Sequence, residues 1–300
     1  MEHEVIVIGG GSAGYAAARA ARAAGAEVAI VDQGPLGGLC ILRGCMPSKA
    51  ILRSAEVMGL MRRAPEFGLA PVEPRADLEA IAARKERLVR EFAEYRIRQL
   101  RDPQFTLYEE PARFLSPRQL QVGSRVLQAR SFVVATGSVV RHLPLPGLDQ
   151  TGYLTSDQAL DLRRQPASML VLGGGAVALE LAQFFHRIGT RVTLIQRHHH
   201  VLSWTDEDLA RPVEERFREE GMEVYTGTQL HRFSRQDGVR TAYFSHGGRE
   251  RSASAEVILQ ALGRRPCVDG LGLEAAGVRV EQGAVQVDEE MRTSQPHIFA

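Results

Sequence analysis

The sequence predicts an α/β fold of two parallel-sheet units, the second inserted into the first. Three observations lead there. Val5-Ile6-Val7-Ile8 runs into Gly9-Gly10-Gly11-Ser12-Ala13-Gly14, and Met169-Leu170-Val171-Leu172 runs into Gly173-Gly174-Gly175-Ala176-Val177-Ala178. Near the C-terminus, 284–287 and Ile298-Phe299 read as strands returning to the first unit. At 300 residues the chain is at the upper edge of what one hydrophobic core supports. The expected division is 1–149 plus 281–300 for the first unit and 150–280 for the second.

The first run, Val5 to Ile8, is apolar on both faces, as in a strand buried within a parallel sheet. An alanine-rich helix is predicted from Tyr15 to Ala24, ended by Gly25, with a strand from Glu27 to Val31 closing on Asp32. Strand, G-x-G-x-x-G, helix, strand and acid, in that order, make a Rossmann-like dinucleotide site. Gly9 serves the tight turn, Gly11 the approach of a pyrophosphate, and Gly14 close packing of helix on strand. The helix N-terminus that follows offers free N–H groups to phosphate.

A helix is expected from Asp77 to Arg101, with Leu78, Ile81, Leu88, Phe92 and Tyr95 at three- and four-type spacings, stopping at Asp102-Pro103. Short strands fill Phe105 to Val134, and Ala135-Thr136-Gly137-Ser138 follows them. The stretch Leu143 to Gly147, with two prolines, reads as the crossing to the second unit.

In that second unit a helix runs through Glu180 to about Arg187, Gly189 caps it, and Arg191 to Ile195 is the next strand. Alanine at the third fingerprint position, Ala178, is allowed. Two such units imply two dinucleotides, or one dinucleotide and an old duplication. The second strand closes on Gln196-Arg197 in place of an acid. A carboxylate there would accept from the 2′-OH of NAD and repel a 2′-phosphate. Arg197 does the reverse, which favours NADP(H) over NAD(H), unless Arg197 is only a solvated surface charge.

Composition narrows the classes. Lys+Arg 37 against Asp+Glu 36 argues against nucleic acid or an anionic membrane as partner. No apolar run reaches the roughly 18 residues of a membrane span. The start, Met1-Glu2-His3-Glu4, has no basic and then apolar export signal, so a cytoplasmic location is expected.

Two of the three cysteines stand in GGLCILRGCMPSK, Gly37 to Lys49. A structural disulfide, a metal site and a redox couple all compete for them. Closing so short a loop stabilises by about 2 kcal/mol, against about 4.7 for a hundred-residue loop. Zinc needs about four ligands, and the tempting partner set is His198-His199-His200, whose side chains point in different directions. Pro47 suits the first turn of a helix continuing through Ile51, Leu52 and Ala55. That puts Cys45 at a helix N-terminus, where the dipole favours a thiolate, with Lys49 one turn on. Cys267 has no partner in sequence and reads as an ordinary small residue.

Taken in order, GGGSAG, GGLCILRGCMPSK, ATGS, GGGAVALE, ALGRRP and MRTSQPHIFA resemble the flavoprotein disulfide reductases across the whole chain. These form the pyridine nucleotide–disulfide oxidoreductase family, which includes glutathione reductase, dihydrolipoyl dehydrogenase and mercuric reductase. The resemblance implies an NAD(P)H-dependent enzyme that passes electrons through FAD and a Cys40–Cys45 disulfide to a small disulfide or a metal ion. Cys45 resembles the thiol facing the flavin, and Cys40 the interchange thiol. Lys49 resembles the lysine beside the isoalloxazine, and Glu180 its glutamate partner across the domain boundary. Cofactor contacts are expected at Gly9, Gly11, Ser12, Ala13, Gly14, Asp32, Gly38, Lys49, Thr136 and Gly137. Contacts at Gly173, Gly175, Ala178, Glu180, Arg197 and Gly263 complete the cofactor set, and no resident metal is expected.

GGGAVALE and Met291-Arg292-Thr293-Ser294 look most like mercuric reductase, with dihydrolipoyl dehydrogenase and glutathione reductase as alternatives. Leu39 and Ile41-Leu42-Arg43 differ from the Thr and Val-Asn-Val usual around the family's first cysteine. The family's C-terminal dimerisation domain has no counterpart before Ala300, so a C-terminally truncated member is expected, inactive alone, with a homodimer for the full-length protein. Two other classes compete: a flavin monooxygenase-type protein, whose activity would survive loss of either cysteine, and an inactive nucleotide-binding fragment.

Overall fold

A computed structural model describes residues 2–300. In chain order its first elements are β1 (Glu2–Ile8), α1 (Ser12–Ala23), β2 (Val28–Val31), α2 (Gly38–Arg43), α3 (Cys45–Arg62) and α4 (Leu78–Leu100). Then come β3 (Thr106–Tyr108), β4 (Ala112–Ser116), β5 (Gln119–Val122), β6 (Arg125–Val134) and β7 (Ser138–Val140). Next are α5 (Leu148–Thr151), α6 (Ser156–Leu160), β8 (Ser168–Leu172), α7 (Ala176–Arg187), β9 (Arg191–Ile195), α8 (Glu207–Glu219) and β10 (Glu223–Tyr225). The chain closes with β11 (Gln229–Gln236), β12 (Val239–His246), β13 (Arg249–Ala255), β14 (Val257–Gln260), β15 (Arg264–Pro266), β16 (Val280–Glu281), β17 (Ala284–Val285) and β18 (Ile298–Phe299).

The chain divides into two compact units: 1–44, 89–139 and 264–300 form the first, and 45–88 with 140–263 form the second. In the first, β3, β2, β1 and β6 run parallel, and β5 and β4 continue the sheet antiparallel. One edge of the long β6 serves two strands: β5 pairs with residues 125–128, and β18 with Phe132 and Val133. Strand alternation sorts side chains to two cores. Val7 and Ile30 join Tyr15 and Ala18 of α1, whereas Ile6, Ile8, Ala29 and Val31 join Phe114, Phe132 and Leu271.

The second unit repeats the plan. Its parallel sheet has the order β10-β9-β8-β14. Met169, Val171 and Leu194 face the helices, packing with Phe184 and Phe185 of α7 and Ile51 and Ala55 of α3. Leu170, Leu172 and Ile258 face the antiparallel meander β11-β12-β13 through Phe233 and Phe244. Both faces of this sheet are covered, which is why its strands read as unbroken apolar runs.

Three expectations change. The boundaries do not fall at 149/150 and 280/281. Residues 264–280 pack with the first unit because Leu271, Leu273, Ala276 and Val278 belong to its core, and Phe114 N–H donates to Leu271 O at 2.8 Å. The start of the inserted segment also moves: Leu148 is buried with the second sheet, and Phe233 N–H donates to Pro146 O. Residues 45–88 pack with the second unit, since Ile51, Ala55 and Leu78 share the core of α7. Finally, of the two expected returning strands, Ile298–Phe299 joins the first sheet but 284–287 does not. Ala284–Val285 folds back on Val280–Glu281 because Gln282 and Gly283, both at positive φ (52° and 79°), make a tight hairpin turn.

Candidate functional site

The two glycine turns have the same backbone wiring. Gly9 N–H donates to Val31 O (2.8 Å), and Gly173 N–H to Ile195 O (2.9 Å). Ala135 N–H donates to Ile8 O, and Ala261 N–H to Leu172 O. Gly9 (φ 107°) and Gly173 (φ 112°) lie in the region that favours glycine, and a methyl on either would stand 2.3 or 2.5 Å from the carbonyl oxygen of Ala135 or Ala261. At the third fingerprint position the turns part. A methyl on Gly14 would lie 1.8 Å from Gly9 O, whereas the second turn accommodates the fully buried Ala178.

Each turn opens a 12-residue helix whose N-cap, Gly11 or Gly175, is extended and makes no side-chain cap hydrogen bond. Ser12 and Ala13 are exposed at the first. Gly38 (φ 77°) closes on that turn so tightly that a methyl on it would stand 2.5 Å from Gly11 Cα. The cysteine segment therefore starts against the first glycine turn. Both oxygens of Asp32 accept backbone N–H groups, Oδ2 from Gly10 at 2.6 Å and Oδ1 from Gly34 at 2.7 Å. Asp32 thus braces the turn, and each carboxylate oxygen keeps a lone pair for a further donor. Thr136 and Gly137 form the bend after β6, where Gly137 O accepts Cys267 N–H at 2.9 Å. Gly263, at φ 116°, accepts Arg141 N–H through its carbonyl at 3.0 Å.

Cys40 lies within α2, half-buried, and Cys45 is the first residue of α3, exposed; both are thiols. Gly44 lets the chain turn between them, since a methyl there would meet Leu39 O at 3.0 Å and Cys40 Cα at 3.1 Å. The unit boundary falls between Gly44 and Cys45. Pro47 is buried in the first turn of α3, where its missing N–H costs nothing.

Beyond that turn, α3 packs on α7 and brings Lys49 to Glu180. Lys49 Nζ donates to Glu180 Oε1 at 2.5 Å, and Ser48 Oγ donates to Oε2 at 2.9 Å. The two residues fall in one unit, not on either side of a boundary. Ser48, which sequence reasoning passed over, also reaches back to Cys45 O at 3.2 Å. Its signal was its place three residues after Cys45 on a helix, where a serine hydroxyl meets a backbone carbonyl of the preceding turn.

In the second turn Gln196 takes the position of Asp32: its N–H donates to Tyr225 O as that of Asp32 does to Tyr108 O. The exposed Arg197 follows, and its Nε–H donates to His198 Nε2 at 3.2 Å. Among the described residues no group of three or more His, Cys, Asp or Glu side chains comes together as a metal site. Nor is any helix among them long and apolar enough to cross a membrane.

The profile of the family described as pyridine nucleotide-disulphide oxidoreductase matches residues 3–300. The chain is 34% identical to a mercuric reductase of Staphylococcus aureus, covering 100% of this chain and 55% of that protein. It is 36% identical to a dihydrolipoyl dehydrogenase of Bacillus subtilis, covering 98% and 65%. A mercuric reductase of Streptomyces lividans is 37% identical, with 99% and 64% covered. Among solved structures, the Cu(II) complex of the HOCl-induced flavoprotein disulfide reductase RclA from Escherichia coli superposes with a TM-score of 0.85 at 25% identity, over 100% of this chain and 65% of that one. The chain thus spans roughly 55–65% of the length of these proteins. Duplicated glycine turns, a cysteine segment anchored on the first of them and a match across 3–300 lead to one conclusion: the chain belongs to the pyridine nucleotide-disulphide oxidoreductase family.

Proposed function

We propose that this chain carries the nucleotide sites and the redox cysteines of an NADPH-dependent flavoprotein disulfide reductase. The observation that carries the reading is the placement of Gly38, two residues before Cys40, against the first of two matching glycine turns. FAD fits the first turn. Gly11 has no side chain facing it, Ser12 and Ala13 open the helix N-terminus, and Asp32 can accept from a ribose hydroxyl. The pyridine nucleotide fits the second turn; the exposed Arg197 after β9 supports a 2′-phosphate, and Gln196 leaves no carboxylate to repel it. Bound together, these cofactors supply hydride transfer and a two-electron path to a disulfide.

The chain's own residues do the rest. Lys49, held by Glu180, places an ammonium one turn past Cys45. Cys40 as thiolate attacks a substrate disulfide, forming a mixed disulfide while one substrate thiolate leaves and takes a proton. Cys45 then attacks Cys40, closing the Cys40–Cys45 disulfide and releasing the second substrate thiol. A metal ion is the alternative acceptor of the same two electrons, supported by 34% and 37% identity to mercuric reductases. A homodimer for the full-length protein belongs to the same proposal.

Anaerobic titration of the full-length, flavin-loaded protein with NADPH and NADH tests this. A long-wavelength thiolate–flavin absorbance is expected, with NADPH the better reductant and the band lost in Cys45→Ser. Flavin reduction with no such band, or disulfide turnover unchanged in Cys45→Ser, refutes it.

A further inference from the structure

We propose that Trp204 gates the second glycine turn: its indole stands at the pyrophosphate seat of Gly175 and swings aside when the pyridine nucleotide binds. This rests on the reading that the second unit takes a dinucleotide. The second fingerprint glycine is bare so that pyrophosphate can approach its backbone. The place of its missing methyl therefore marks the seat. Trp204 Cη2 lies 3.1 Å from that place and Cζ3 3.4 Å. At Gly11, the matching residue of the first turn, the one neighbour is Gly38 Cα at 3.8 Å, and no side chain intrudes. The two turns share their backbone wiring and differ in this indole.

The loop that carries Trp204 is fixed at its base. Val201 is fully buried, and its N–H donates to Glu214 Oε1 at 2.8 Å. Leu202, at φ 50°, packs its side chain on the core and donates its N–H to Gly174 O at 2.7 Å. Thr205 donates both N–H and Oγ1–H to Leu202 O, at 2.8 and 2.9 Å. Trp204 is 66% exposed, so rotation about its side-chain bonds gives up little buried contact. A fixed loop base and a loosely held ring suit a gate that moves by side-chain rotation. If the ring holds the seat nine-tenths of the time, apparent affinity is reduced about tenfold, the reciprocal of the open fraction.

The test is calorimetric titration of the full-length, flavin-loaded protein with NADP+, in wild type, Trp204→Ala and Trp204→Phe. Trp204→Ala should bind up to about tenfold more tightly. Trp204→Phe keeps a ring at the seat and should stay within about twofold of wild type. Trp204 is the only tryptophan, so NADP+ should also change the wild-type tryptophan emission. Equal or weaker binding by Trp204→Ala overturns the gate alone, as does unchanged emission on saturation. Binding of NADP+ by none of the three overturns the dinucleotide reading of the second unit and the gate with it.

Discussion

Glu180 takes a hydroxyl on one carboxylate oxygen and an ammonium on the other, and the lysine among these is 58% exposed. An ion pair so open to water contributes less than about 1 kcal/mol to folding. Lys49→Met should therefore shift urea unfolding by less than about 1 kcal/mol, while flavin reduction in stopped flow slows at least tenfold. A loss of stability with no loss of rate would make the pair structural. At the second turn, Arg197→Ala should raise KM for NADPH by about 10- to 100-fold, the worth of a charge-assisted hydrogen bond to phosphate, and leave NADH unchanged. Equal effects on both nucleotides would remove the 2′-phosphate from Arg197.

Between elements, packing distances decide what each glycine tolerates. A methyl on Gly14 would sit 1.8 Å from a backbone oxygen, so α1 must move off β1 to admit it. Gly14→Ala should cost about 2–3 kcal/mol in urea unfolding. A neutral result would mean that α1 is not seated on β1 as described. The second unit carries alanine at the same position without conflict, so the two helices differ in their seating although their turns match. Its helices α7 and α8 are tied by Glu220, whose carboxylate accepts from Arg187 at 2.9 and 2.7 Å and from Arg216 at 2.8 Å. Burial pushes this carboxyl up, but the two guanidiniums outweigh it and hold its pKa below the ordinary 4.5. A lowered carboxyl pKa adds stability that is fully present above 4.5 and is lost as pH falls through the folded-state value. Glu220→Gln should thus cost about 2 kcal/mol at pH 7 and flatten the acid side of the stability profile below pH 4.5. An unchanged profile in urea unfolding at pH 7 and pH 4 would count against the tie.

For the whole molecule, ligand linkage tests the assignment of one nucleotide to each turn. FAD at a hundred times its Kd should stabilise by about 2.7 kcal/mol. Gly11→Val should abolish that gain, read as a thermal shift, while leaving the gain from NADP+ in place; Gly175→Val should do the reverse. Loss of both gains in either variant would contradict independent sites.

What the sequence determined by itself was local. The order of strand, glycine turn, helix and strand is written in windows of about thirty residues, through side-chain period and glycine spacing. So is the place of Cys45 at a helix start. The family was legible too, because its motifs recur in order. Only tertiary structure decided which segments share a core. Residues 45–88 pack with the second unit because Ile51 and Ala55 meet Phe184 and Phe185, more than a hundred positions on. Asp32 braces its own turn at Gly10 and Gly34, a use that a ribose-acceptor reading did not contain. Trp204 lies 29 positions past Gly175, in a loop whose sequence has no period to say where its indole points. Local periodicity specifies which face a residue takes, and contact across sequence distance depends on how the faces are then packed.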